Sequence, residues 1–204
     1  PFKKKERAGK EKWYEKFSLA YNTTFQNKIN FKASEIHDEG FLNKMQNGMT
    51  HNFQIGLPSF TLLKYLQFSP SVNYGMNWFF REQIKEYDEE QQTVVTRYSD
   101  LFSTFGVTQT FSAGISMSTR IYGLFNFGAK SKLQAIRHMI TPSFNFSYAP
   151  ELGTPGNGYT SLTYTDAKGD EVTVDYNKYG GQIYSPPGRG KTAALSFSFQ
   201  NNLE

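Results

Sequence analysis

The chain has 204 residues, no cysteine and a formal charge of +4, from 22 Lys and Arg against 18 Asp and Glu. Its 38% hydrophobic content and mean hydropathy of −0.58 leave no stretch near the roughly 18 apolar residues that mark a transmembrane helix. The missing thiols exclude a disulfide framework. The charge is mixed rather than uniformly basic: Lys3, Lys4, Lys5, Arg7, Lys10 and Lys12 crowd the start, and Glu86, Asp88, Glu89 and Glu90 form an acidic run. No nucleic acid is expected as a partner.

Aromatic residues reach 17%, with 19 Phe and 13 Tyr. Many aromatics combined with low hydropathy suit a membrane wall in which every second residue meets lipid and the rest meet water. The start has no apolar core like that of a signal peptide. The chain begins and ends in mid-pattern, so it reads as an internal piece of a longer protein, and the missing leader says nothing about location.

In chain order, residues 13–31 alternate, with Trp13, Phe17, Leu19, Tyr21 and Phe25 on one parity and Lys16 and Asn22 on the other. A period of two is the mark of a strand with one apolar face. Residues 32–47 read as a polar loop. Met49, His51, Phe53, Ile55 and Leu57 then alternate with Thr50, Asn52, Gln54 and Gly56, and Pro58 ends this second strand because it cannot donate to a ladder.

After a short apolar connection over 59–66, Phe68, Pro70, Val72, Tyr74, Met76, Trp78 and Phe80 oppose Ser69, Ser71, Asn73, Gly75 and Asn77. A second long external loop is expected near 81–99, its charged part, 81–92, reading as a loop or a strand extension beyond the bilayer. Phe105, Val107, Phe111, Ala113, Ile115, Met117, Ile121, Phe125 and Phe127 next alternate with small polar residues and Arg120. This fourth strand is about twice the roughly 9–11 residues that a tilted strand needs to cross a bilayer.

Residues 128–137 read as a compact basic turn that brings Arg137 and His138 to the fifth strand. There Ile140, Pro142, Phe144, Phe146 and Tyr148 oppose Thr141, Ser143, Asn145 and Ser147. A long insertion over 152–190 carries a small predicted hairpin around Lys168-Gly169. Ala193, Leu195, Phe197 and Phe199 alternate with Ser196, Ser198 and Gln200 in the sixth strand. Six strands joined by alternately short and long connections define the expected fold: all-β, an antiparallel transmembrane β-barrel, with these six strands forming part of a larger barrel.

The pattern sorts the side chains. Phe17, Leu19, Tyr21, Phe53, Ile55, Val72, Tyr74, Met76, Trp78, Phe111, Ile115, Met117, Phe144, Phe146, Leu195, Phe197 and Phe199 are expected to face lipid. Lys16, Asn22, Asn73, Asn77, Arg120 and Asn145 are expected to face a lumen. Trp13, Trp78, Tyr74, Tyr122 and Tyr148 are candidates for interfacial girdles.

Other motifs carry little. Residues 185–192, SPPGRGKT, end like a phosphate-binding loop, but Ser185 stands where its first glycine belongs and two prolines remove donors. His37, His51 and His138 lack ligand-like spacing, so no metal is expected. His138 near Thr141 and Ser143 is too common a pairing to imply catalysis. No enzyme activity and no cofactor is read from the sequence. The sequons at Asn22 and Asn145 lie inside predicted strands.

The segment IRHMITPSFNFSYAP, residues 136–150, resembles the end of the barrel domain in the lipopolysaccharide-assembly outer-membrane family LptD, in its Bacteroidetes-type branch. Arg137, His138, Thr141, Pro142, Phe144 and Tyr148 carry the resemblance. GKEKWYEKFSLAYN (9–22), STRIYGLFNFG (118–128) and ALSFSFQNNLE (194–204) are similar to the same family and stand in its order.

The resemblance implies a barrel of about two dozen strands in the outer membrane of a Gram-negative bacterium. It further implies a partner lipoprotein plug of the LptE type and a periplasmic Lpt bridge that delivers lipopolysaccharide. Two rival readings are a porin or TonB-linked nutrient channel, and a soluble β-sandwich. Extraction without detergent would mark the last.

Overall fold

The computed structural model describes residues 12–35, 37, 41–128 and 134–204, without the side chains of Trp13, Leu42 and Asn43. A short 3-10 turn, Trp13–Lys16, opens the described chain, with the Glu15 carboxylate accepting the Lys12 N–H at 3.0 Å. The first strand therefore starts later than its alternation suggests, as β1 (Ser18–Lys28), and Lys16 and Phe17 precede it. Two further 3-10 turns, Ala33–Glu35 and Phe41–Lys44, interrupt the loop to β2 (Gln46–Gly56).

The apolar connection after β2 is itself paired. β3 (Phe60–Leu62) lies on β4 (Leu66–Phe79) through Phe60 opposite Phe68, whereas β2 meets β4 with Gly56 opposite Ser71. The register slips by one residue between them, at the segment that holds Pro58. Leu63 and Lys64 close this hairpin with φ of 51° and 65°.

The charged segment, expected as a loop or a strand extension, folds into a second hairpin, β5 (Gln83–Asp88) with β6 (Thr93–Tyr98). The long fourth strand is real but broken: β7 (Gly106–Ser118) and β8 (Ile121–Asn126) pair with β9 (Ala135–Ala149) in one continuous register, Ser118 opposite Ser143 and Ile121 opposite Ile140. Pro142 explains the break. Thr119 donates its N–H to the Pro142 carbonyl at 3.2 Å, so the position is a hydrogen-bonded pair, and the return bond is missing because proline has no N–H.

Residues 135–138, expected in a turn, belong to β9; residues 129–133 of that turn lie outside the described residues. Beyond β9 the expected small hairpin forms as β10 (Tyr159–Thr165) with β11 (Glu171–Asn177), and Gly169 turns it at φ 86°. The last strand is β12 (Thr192–Leu203). Asn22 and Asn145 sit inside β1 and β9, and Lys191-Thr192 runs into a strand rather than the helix that a phosphate loop requires.

The six long strands form one antiparallel sheet in the order β1-β2-β4-β7-β9-β12, curled as a half-barrel. Each is hydrogen-bonded to its sequence neighbour along the sheet, as in an up-and-down barrel. The connections 29–45, 80–105 and 150–191 leave from one end, and 63–65 and 127–134 from the other. Among the described residues the remaining strands form two-stranded sheets, β5 with β6 and β10 with β11, too small to be the second layer of a β-sandwich. Among the described residues only Phe79 and Tyr179 are buried hydrophobic side chains.

Candidate functional site: the polar face and the loop docked on it

The register carries the two parities across the whole sheet. One face runs Tyr21, Phe53, Tyr74, Phe111 from strand to strand. A second row on that face runs Pro70, Ile115, Phe146, Leu195, and a third Phe68, Met117, Phe144, Phe197. Leu19, Ile55 and Val72 continue it through Ala113 to Tyr148, and Met76, Trp78 and Phe199 share its parity. Rings meet along it: Tyr21 and Phe53 at 4.8 Å, Phe144 and Phe197 at 4.7 Å.

The opposite face runs Asn22, Asn52, Gly75, Thr110 and, one step on, Ala20, Gln54, Asn73, Ser112. Asn77, Asn145 and the position of Arg120 fall on this parity. The structure thus gathers the predicted polar residues of the strands on one face; Lys16, in the turn before β1, is not among them.

Arg137 and His138 do not form one anchor. Strand parity sends them to opposite faces. Arg137 is on the polar side, 3.4 Å from Glu204 and with its guanidinium 5.6 Å from the Tyr122 ring. His138 meets Asn201 at 3.2 Å on the aromatic side. Tyr122 accordingly lies on the polar parity rather than in an outward girdle. His51 is buried on the aromatic face, bonded through Nδ1 to the Tyr21 hydroxyl at 2.7 Å and 4.2 Å from the Trp78 ring.

The feature that alternation does not reveal is the course of residues 150–191, which fold back over the polar face. Tyr184 donates its hydroxyl to the Thr24 carbonyl at 3.2 Å, Asn77 Nδ2 reaches the Ser185 carbonyl at 3.4 Å, and Gln46 Nε2 reaches that of Gly181 at 2.9 Å. Gly48 makes room: a Cβ there would stand 3.0 Å from both Ile183 and Tyr184.

At the head of the sheet Phe79, fully buried although on the polar parity, stacks on Tyr179 with centroids 4.7 Å apart and rings 5° from parallel. Burying such a ring stabilises by about 1.5–3 kcal/mol. The same tyrosine covers Gly106, where any side chain would collide with its ring.

Polar bonds fix this contact. Asn177 donates to the Asn157 carbonyl at 2.7 Å and accepts the Tyr179 N–H at 2.9 Å, while Gln83 Nε2 donates to the Asn177 carbonyl at 2.6 Å. Asn157 Oδ1 also accepts the Gln109 N–H at 2.6 Å. That bond covers the part of β7 that extends past the end of its pairing with β9. Burial pushes the Tyr179 phenol above its ordinary pKa, with the Glu82 charge adding and Lys178 opposing. Burial likewise lowers the Arg81 guanidinium, whose Nη1 donates to the Met45 carbonyl at 3.2 Å.

Between the loop and the sheet lies an open cleft of about 470 Å³, floored by Asn52, Gln54, Asn73, Thr110 and Ser112 and roofed by residues 187–190. A smaller hollow of about 240 Å³ shares Gln54 and Asn73 and continues along the polar face toward Ser18 and Ser71. The sequence signals for this arrangement are an aromatic residue out of phase, Phe79, and glycines at 48, 75 and 106 on the polar parity.

A curled antiparallel sheet with one aromatic face, one amide and hydroxyl face, and a loop folded onto the latter defines a half-barrel of the membrane β-barrel class. A sequence model of the family described as LptD protein matches residues 1–204, and the chain belongs to that family. The family is a transport and assembly component that handles lipopolysaccharide in the outer membrane. No curated protein and no solved structure matches the chain.

Proposed function

We propose that the chain is part of an outer-membrane translocon that inserts lipopolysaccharide into the outer leaflet, in a Gram-negative bacterium of the Bacteroidetes type. The observation that carries this reading is the separation of the faces. Leu195 is 72% exposed and Phe197 55% exposed on one side, and the other side is built of Asn, Gln, Ser and Thr. Exposed apolar surface of this extent calls for a covering phase, and family membership supports the outer membrane as that phase.

The aromatic face then meets lipid and the polar face a lumen. The three long connections lie outside the cell and the two short ones on the periplasmic side. A saccharide-bearing lipid passes when its sugars move along the polar face and its acyl chains leave sideways between strands. An LptE-type lipoprotein in the lumen and a periplasmic Lpt bridge complete the machine.

A nutrient channel of the porin or TonB-linked type is favoured by one observation: residues 150–191 lie on the polar face as a constricting loop does. Depleting the full-length protein separates the two. The expected result is a fall in newly made surface lipopolysaccharide while porins and nutrient receptors still assemble. Unchanged surface lipopolysaccharide with a loss of uptake of some solute would establish the channel.

A further inference from the structure

We propose that the cleft between the polar face and residues 187–190 is a binding site for uncharged sugar units. The inference rests on the transport reading in one respect, that the sugars belong to lipopolysaccharide.

The volume of about 470 Å³ falls in the range of ligand pockets, roughly 300–1,000 Å³. The side chains that the polar face contributes to it are amides and hydroxyls, and Pro150, Leu152 and Pro187 add apolar surface beside them. Asn52, Gln54, Asn73, Thr110 and Ser112 each both donate and accept, as every sugar hydroxyl does. The side chains of Gln54 and Asn73 have no hydrogen-bond partner among the described residues. Gly75 keeps the middle of the floor low, because a Cβ there would crowd Thr110 and Asn52.

Arg189, the one charged side chain that lines the cleft among the described residues, is already paired within the chain. Arg189 Nη1 holds Asp175 at 2.7 Å and its guanidinium lies 4.8 Å from the Tyr159 ring. Asp175 in turn raises the Arg189 pKa. The Glu151 carboxylate accepts the N–H groups of Gly153 and Gly190. With Arg189 set against both the Asp175 and the Glu151 carboxylate, the roof has no spare positive charge, and the cleft selects hydroxyl-rich neutral groups over phosphate or carboxylate. The adjoining hollow around Ser18 and Ser71 extends it into a track for successive units.

The test places a photo-crosslinking amino acid at Asn73 of the full-length protein in cells, with Val72, its neighbour on the other face, as control. Two strains are compared, one with complete lipopolysaccharide and one whose lipopolysaccharide lacks the outer neutral sugars. An adduct at Asn73 is expected in the first strain and about tenfold less in the second, and also about tenfold less when Asn52→Ala and Gln54→Ala remove two donor-acceptor groups. Val72, on the lipid side, is expected to give the same yield in both strains.

Equal adducts at Asn73 in both strains would overturn the proposal, since lipid or phosphate would then occupy the cleft. No adduct while surface lipopolysaccharide still depends on the protein would overturn the site and leave the transport reading standing. If surface lipopolysaccharide does not depend on the protein, the transport reading falls. Binding of the lipid-free saccharide, released by mild acid, to the purified full-length protein then decides the site separately: weakening about tenfold by the same two substitutions supports it, and unaltered binding overturns it.

Discussion

The ring of Phe79, the last residue of β4, lies 4.7 Å from that of Tyr179 and 5° from parallel. This contact joins the sheet to the loop after β11 and is built from the only two buried hydrophobic side chains among the described residues. Phe79→Ala is therefore expected to cost about 3–5 kcal/mol of loop docking while leaving the six-strand ladder intact. Protease cleavage within residues 178–190 of the membrane-embedded protein should accelerate, with heat-modifiable mobility of the barrel unchanged. A loop that stays protected would show that the hydrogen bonds of Asn157 and Asn177 hold it alone.

The same contact should depend on pH. Burial, then the Glu82 charge, raises the Tyr179 phenol above its ordinary value of about 10, and Lys178 opposes. A raised pKa for an acid means that the folded state favours the neutral form. The contribution is therefore complete below about pH 10 and lost as pH rises through the folded value. Tyr184, raised by burial, titrates in the same direction. Protection of the loop should hold from neutral pH to about 10 and fall above it. Only the double variant Tyr179→Phe/Tyr184→Phe should remove that step.

The assignment of the two faces is open to a paired substitution. Ile115 sits in the middle of β7 between Pro70 and Phe146, and Ser116, its neighbour, points the other way beside Asn145. Ile115→Arg is expected to destabilise the protein in lipid vesicles by about 2–4 kcal/mol, the cost of a cation on the lipid face near mid-bilayer. Ser116→Arg should change the urea midpoint little. The reverse order would exchange the faces.

Pro142 offers a gain. Its carbonyl accepts from Thr119, and a residue with an N–H would return the bond to the Thr119 carbonyl. Pro142→Val is expected to join β7 and β8 into one unbroken strand, to add about 0.5–1.5 kcal/mol, and to put the new amide among the slowly exchanging ones. An unchanged midpoint with a fast amide would place the cause of the break elsewhere, at Arg120.

Much of the sheet was legible because a strand with unlike faces writes itself as a period of two. The alternation of Phe, Ile and Val with Asn, Ser and Thr gave all six long strands and the sharing of faces. The turn signal at Lys168-Gly169 marked the small hairpin as well, because turn chemistry is local.

What alternation did not reveal depends on partners distant in sequence. Trp13 and Phe17 keep the apolar parity of β1, yet a local 3-10 turn held by Glu15 takes this segment out of the strand. Ala135 to His138 looked like a turn because the residues are mixed, but pairing with β8 makes them strand. The docking of residues 150–191 requires Phe79 to meet Tyr179 and Gly106 to lie beneath it, and periodicity says nothing about which loop meets which face.

The sheet ends in two strands, β1 and β12, each paired on one side only among the described residues. In water their outer N–H and C=O groups are satisfied by solvent; in hydrocarbon each would be left bare at a cost of several kcal/mol. In the larger barrel of which these strands are part, neighbouring strands supply the missing partners at both rims, so pairing of the rims and loss of water are one event.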